Sequence, residues 1–338
     1  MVSLNVSQNP SSVSDGPRLI NLRTDLYPLA DLIEMAFADS MDSSGRAAIR
    51  EMRALSRLGP GLNILARANE LAQGVSMGYV WVEDGRLVGN VSVYPTSWPK
   101  DLGKTWIIAN VAVHPEYRQR GIATRLMNAS LDMIRKEKGR RAVLQVDFNN
   151  AAAIHLYHRL GFVEERTWTT WRRGWTDRSP VMPLYEKTLR IARRTRDEWA
   201  AEYDLAKRLR PPDHGGLGWL RPLHPQLFRI PLQKRLMSWL SLRSLDRMVI
   251  HDDRDALGAI LWIERQLGAG GVHLTLMVEP QYQGYYDEVL LNAAVRRYGG
   301  AENLLIEHPT DDEEAALLFR RYRFEPRRTL THMHWEVT

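Results

Sequence analysis

Val111-Ala-Val-His-Pro-Glu-Tyr-Arg-Gln-Arg-Gly-Ile-Ala-Thr124 carries an apolar run through a turn into an amphipathic one. Upstream, Thr105–Val113 is almost purely apolar, the pattern of a strand covered on both faces and therefore central in a sheet. Downstream, Ile122, Leu126, Ala129 and Met133 recur at helical spacing, and Gly139 marks the helix end. A strand that turns directly into a helix leaves the amides of the turn and first helical turn without intrahelical partners. With the helix dipole they form an anion site suited to a pyrophosphate. In Arg118-x-x-Gly121-x-Ala123 the glycine and alanine let a ligand approach the backbone, and Arg118 and Arg120 add positive charge. Taken by itself the segment has a plainer reading, in which Gly121 eases a turn and the arginines are solvated.

Working outward, Tyr79–Glu83 and Arg86–Tyr94 flank Asp84-Gly85, a hairpin signal because a type I′ turn needs positive φ. Before them, a helix runs from Thr24-Asp25 to about Phe37, and another starts near Ser43-Ser44 with Ile49, Met52, Leu55 and Leu58 on one face. Arg46, Arg50, Arg53 and Arg57 share another face of that helix, either solvated or lining a substrate entry. The stretch from Gly59 to Ser76 is ambiguous in its pattern. After the central motif, Ala142–Phe148 reads as a strand, and Ala153, Tyr157 and Leu160 mark a helix closed by Gly161. Hairpins leading into strand–helix–strand–helix indicate an α/β (α+β) fold, its sheet of mixed direction and flanked by helices.

The order then repeats. Val113-His114-Pro115, Tyr117 and Gly121 are matched by Val278-Glu279-Pro280, Tyr282 and Gly284, with offsets of 165 at the proline and 163 at the glycine. Ala153–Phe162 is matched by Ala315–Phe324, and a hairpin, Met248–His251 with Ala256–Ile263, precedes the second motif. The expected organisation is a tail over 1–16, a domain over 17–175, a linker over 176–187 and a second domain over 188–338. The second copy has lost the chemistry of the first: Phe319 stands at Tyr157, Arg323 at Gly161 and Asp312 at Asn150. Trp168, Trp171 and Trp175 precede the linker and are expected to pack between domains, with an aromatic substrate wall as the other reading.

Composition narrows the class. The chain of 338 residues has no cysteine, which excludes disulfides, thiolate nucleophiles and cysteine metal sites and fits a reducing cytoplasm. Forty-six basic residues are interspersed with 40 acidic ones, so the net charge of +6 marks no nucleic-acid surface. No apolar run approaches the roughly 20 residues of a membrane helix, and the polar N-terminus does not read as a signal peptide. His332-x-His334 would face one way on a strand, but two ligands without a third make no metal site.

Asn150-x-x-Ala153-Ile-x-Leu-Tyr157-x-x-Leu160-Gly161-Phe162 completes a pairing with Arg118-x-x-Gly121-x-Ala123. Together the two segments resemble motifs A and B of the GNAT superfamily of acyl-CoA N-acyltransferases, closely over 105–162 and in outline over 18–175. The tandem arrangement is similar to that of mycothiol synthases, although there the C-terminal copy is the active one. The resemblance implies acetyl-CoA as co-substrate and no metal. It implies a pantetheine arm beside Val111, Ala112 and Val113, and a pyrophosphate on the amides of Gln119, Arg120, Gly121, Ile122, Ala123 and Thr124, with Arg118 alongside. Asn150 either approaches that arm or caps its helix. Tyr157 occupies the family's general-acid position, against the alternative of simple aromatic packing. A backbone N–H near Val111–Val113 would stabilise the oxyanion. No base stands out: the strand position around Ile107 is apolar, Asn110 cannot take up a proton, and Asp147, Glu83 and Asp101 are unranked. The implied acceptor is a small-molecule or protein amine, met by a monomer or homodimer. The rival reading is a non-catalytic acetyl-CoA-binding sensor or partner-binding module.

Overall fold

The computed structural model describes residues 16–38, 41, 43–57, 77–178, 180–181, 189–229, 243–266 and 271–337. In chain order the elements are β1 (Gly16–Leu19), α1 (Leu22–Ala36), α2 (Ser43–Ser56), β2 (Gly78–Glu83), β3 (Arg86–Pro95), β4 (Thr105–Val113), α3 (Ile122–Lys136), β5 (Arg141–Asp147) and α4 (Ala151–Arg159). There follow β6 (Val163–Arg173), β7 (Ala192–Arg193), α5 (Trp199–Leu209), α6 (Pro225–Phe228), β8 (Arg243–His251), β9 (Leu257–Gln266), β10 (Val272–Val278), α7 (Tyr286–Tyr298), β11 (Leu304–Pro309), α8 (Glu313–Arg321) and β12 (Glu325–Glu336). Two compact units result. One holds Met1–Leu144, His155–Phe162 and His334–Thr338, the other Gln145–Ile154 and Val163–Met333. This division by contact differs from the sequence-based one, since β6 belongs with the second unit and the last residues of the chain with the first. Gly16, assigned to the tail, opens β1, and the expected linker falls partly outside the described residues.

In the first unit β1, β2, β3 and β4 run antiparallel and β4 pairs parallel with β5. Asp84 and Gly85 turn the hairpin with φ of 50° and 73°, the two positive values a type I′ turn requires. On one side α1 and α2 bury Leu29, Ile33, Ile49, Met52 and Leu55; Leu58 lies outside the described residues. Arg53 binds Asp31 at 2.6 Å and Glu34 at 2.5 Å, so this member of the arginine face ties α2 to α1. α3 lies against β3, where a β-carbon on Gly89 would come within 2.9 Å of both Ile122 and Leu126. The end of α3 corrects the reading of Gly139. Lys138 takes the left-handed conformation, with φ of 55°, and Gly139 is needed because a β-carbon would meet Ile134 at 2.6 Å and Trp106 at 2.8 Å.

In the second unit β10 pairs antiparallel with β9 and parallel with β11, β9 with β8, and β8 with β7, while β6 pairs antiparallel with β11. Trp171 enters this unit's core beside Phe319, Trp168 stacks on His332 at 5.8 Å, and Trp175 is exposed. A charged knot lies on the opposite face of the sheet. Glu202, wholly buried, accepts hydrogen bonds from Trp262 Nε1 at 2.6 Å, Arg194 Nε at 2.7 Å and Arg247 Nη1 at 2.8 Å. Glu202→Ala strands two guanidinium groups, and we expect it to cost about 3–5 kcal/mol, read as a fall in the urea midpoint of the full chain.

Candidate active site

β4 and β5 pair over only Thr105↔Arg141, Trp106↔Ala142 and Ile107↔Val143, although both strands continue beyond. The ladder ends where β4 is deformed. Its register against β3 shifts between Asn90 and Ser92, and Asn110 takes φ of 51°, the left-handed conformation that asparagine tolerates better than most residues. A polar knot inside the sheet holds this bulge. Asn90 Nδ2 donates to Asn110 O at 2.9 Å and to Ser92 Oγ at 3.2 Å, and Asn110 Nδ2 donates to the same hydroxyl at 3.2 Å. Asn90 is 1% exposed, and among the described residues its Oδ1 has no hydrogen-bond partner. Sequence reasoning missed Asn90 and Ser92. The available signal was two small polar residues at alternate positions of an otherwise apolar strand.

Beyond the bulge, Val111, Ala112 and Val113 lead into a turn over Pro115–Tyr117, with His114 Nδ1 accepting from Glu116 N at 3.4 Å. Gln119 and Gly121 both take the left-handed conformation, with φ of 64° and 77°, and Arg125 N makes the first helical bond, to Gly121 O. Gly121 caps α3 without a side-chain acceptor, so the amides of Ile122, Ala123 and Thr124 start the helix without intrahelical partners. Among the described residues other than its immediate chain neighbours, no atom lies within 4 Å of where a β-carbon on Gly121 would stand. Among the described residues nothing accepts from these amides, which form a nest of donors at the positive end of a 15-residue helix.

The arginines are already engaged in part. Arg118 Nε donates to Val113 O at 3.3 Å, while Arg120 pairs with Glu83 at 3.0 Å and lies 4.8 Å over the Tyr117 ring. Glu83 is therefore held by Arg120. Tyr157, on α4, is 5% exposed, its ring centre 5.9 Å from that of Phe162. Burial pushes its phenol well above the ordinary value of 10.0. Gly161, with φ of 86°, closes the helix beneath it. Asn150 Oδ1 accepts from Ala153 N at 3.1 Å, so the helix cap is the interaction this side chain makes; Asn150 belongs by contact to the other unit.

The second unit repeats the frame. β10 and β11 pair over Val272↔Leu304, His273↔Leu305 and Leu274↔Ile306 and then part, as β4 and β5 do. Gly284 has φ of 78°, against 77° for Gly121, and Asp312 Oδ1 accepts from Ala315 N at 3.1 Å, as Asn150 does from Ala153. Here, however, the donors are covered. Asp287 accepts from Gly284 N at 3.0 Å and from Glu288 N at 2.8 Å, so its own carboxylate sits on the helix start.

Residues 49–162 match the sequence profile described as the Acetyltransferase (GNAT) family. The match takes in 114 of the chain's 338 residues, counting 49 to 162 inclusive. Over 55 residues it is 46% identical to N-alpha-acetyltransferase 30 of Schizosaccharomyces pombe, covering 16% of this chain and 37% of that one. Over 101 residues it is 36% identical to an uncharacterised N-acetyltransferase of Methanocaldococcus jannaschii, covering 27% and 44%. Across the curated relatives it matches, the chain spans between 37 and 56% of their length. A GCN5-related N-acetyltransferase from Sphaerobacter thermophilus has the same fold, with a TM-score of 0.58 at 14% identity over 95% of each chain. Among the described residues no helix is long and apolar enough to cross a membrane, and no three metal-ligating side chains converge. His332, buried, accepts from Gln145 Nε2 at 2.8 Å and is held neutral, its pKa lowered by burial to about 4.

The open space at Gly121 separates two effects of Gly121→Ala. The left-handed backbone costs the variant about 1–2 kcal/mol, yet the methyl fits the free protein. We expect a folded variant whose acetyl-CoA affinity, measured by calorimetry, falls at least about tenfold. Unchanged affinity would place the pyrophosphate away from these amides.

Proposed function

We propose that this chain is an N-acyltransferase that moves an acetyl group from acetyl-CoA to an amine by direct attack, and that its first unit performs the chemistry. The observation that carries this is the contrast at two matching helix starts. The donors at Gly121 are open, whereas those at Gly284 are closed by Asp287.

In this reading the pyrophosphate lies on the amides of Gln119–Thr124, and the pantetheine arm runs beside Val111–Val113, where the end of the β4–β5 ladder leaves backbone groups to pair with it. The amine nitrogen attacks the thioester carbon, the C–S bond breaks, sulfur takes one proton and nitrogen loses one. A backbone N–H on the bulged strand supports the carbonyl oxygen as it becomes negative. Tyr157 supplies the proton to sulfur. A phenol held above 10.0 stays loaded at neutral pH. The departing thiolate is more basic in a dry pocket than in water, because burial disfavours both anions alike. The acceptor attacks as the neutral amine, the proton its nitrogen then loses passes to water, and Tyr157 regains a proton from water to complete the cycle.

Tyr157→Phe should lower kcat about 10²–10⁴-fold and leave the dissociation constant of acetyl-CoA nearly unchanged. Unimpaired turnover would remove Tyr157 from the chemistry, and tight acetyl-CoA binding by a wild type that turns over no amine would favour the sensor reading. The raised phenol value also fixes the sign of the pH profile. Because Tyr157 keeps its proton beyond pH 10, the rate should climb as the amine deprotonates and show no Tyr157-linked fall below about pH 10. A stopped assay from pH 6 to pH 10 on one acceptor reads this.

A further inference from the structure

The second unit contains a cavity of about 480 Å³ beyond the last β10–β11 pair, within the span of small-molecule sites. Apolar side chains including Leu276, Met277 and Val278 form part of its wall, and polar and charged groups form the rest. Arg210, 6% exposed, lines it at the end of α5. Its Nη2 donates to His308 Nδ1 at 3.3 Å and to Leu276 O at 3.4 Å, while among the described residues Nε and Nη1 make no hydrogen bond and no carboxylate pairs with the guanidinium. His308 cannot answer this charge. It lies 2.8 Å from Asp312, is buried, and stays neutral, with a pKa lowered to about 4. Desolvation lowers Arg210 only to about 10, so it remains a cation at neutral pH.

Asp287 lines the same cavity and is 2% exposed. It is bonded to backbone amides and, among the described residues, to no cation, so burial raises its pKa. One cavity thus holds a buried cation and a buried anion that do not meet. Buried charges are ordinarily paired, because an uncompensated one forfeits its hydration without return. A ligand bearing both complementary charges would pair each of them.

From this separation we infer that the cavity binds a free α-amino acid, its carboxylate on the open donors of Arg210 and its ammonium towards Asp287. A guanidinium fork matches a carboxylate in two parallel hydrogen bonds. Asp311, paired with Arg166 at 2.8 Å, and Asp312 also line the wall, whose negative charge opposes a polyanion such as phosphate more strongly than a single carboxylate. The apolar wall leaves space for an aliphatic side chain. The site does not depend on the activity of the first unit.

Calorimetry on the full chain at pH 7.5, with the protein amino acids added singly, tests the inference. The expected result is saturable binding of at least one of them at one site per chain, with propionate and propylamine, each bearing half of the charge pair, at least about tenfold weaker. Arg210→Met should abolish that binding and leave acetyl-CoA affinity unchanged. Should this variant fail to fold, Arg210→Lys keeps the charge without the fork and should weaken binding at least about tenfold. No binding of any amino acid at millimolar concentration overturns the inference. So does equal binding of inorganic phosphate, or amino-acid binding that survives Arg210→Lys undiminished.

Discussion

Parallel strands that begin as partners and then part leave backbone donors and acceptors facing each other across a gap, where neither strand satisfies the other. In the first unit this happens after Ile107↔Val143, and the bulge at Asn110 marks the departure. Burying such groups unmet is costly, so the opening persists only where water or an incoming strand-like molecule pairs with them. Under the proposed function the arm of an acyl-CoA is the molecule that meets that need, with its own amides. The internal bonds from Asn90 and Asn110 to Ser92 hold the deformation when nothing occupies the gap. From this one break in a ladder follow the strand end at Val113, the turn at Gly121 and the helix that presents its amides beside it.

The two units show how little must change to alter what such a frame accepts. Both keep three parallel pairs, a left-handed glycine after the strand and an Asx cap on the later helix. In the second, the carboxylate of Asp287 accepts from two amides at the helix start, those of Gly284 and Glu288, and aromatic Phe319 stands where the first has the phenol of Tyr157. A helix start already holding an anion of its own has no call for a pyrophosphate. Arg210, His308 and Asp312 then give the opening beyond Leu274↔Ile306 a different chemistry.

The local parts of this architecture were legible. Asp84-Gly85 named its turn, Thr105–Val113 its strand, and the spacing of Ile49, Met52 and Leu55 its buried face, because each is decided by neighbours a few residues away. Gly139 was read correctly as the close of a helix but for the wrong cause, since Ile134 and, 33 residues earlier, Trp106 leave no space for a β-carbon there. What pairing over long separations decides was not legible. The partner of β6 is β11, more than 130 residues on, so Trp168 and Trp171 seemed free for another use. Arg210 and His308 lie 98 residues apart and share no motif. The nest at Gly121 was visible because strand, turn and helix are contiguous there; its closed counterpart at Gly284 was visible as a repeat, though the role of Asp287 was not.

Amine-dependent release of thiol from acetyl-CoA, followed with a thiol dye across small amines, amino acids, polyamines and amino-terminal peptides, bears most directly on the central claim. A chain without cysteine contributes no background. The account predicts thiol release that requires both acetyl-CoA and one class of amine. Acetyl-CoA bound at the first unit with no amine-dependent release from any member of the panel would contradict it.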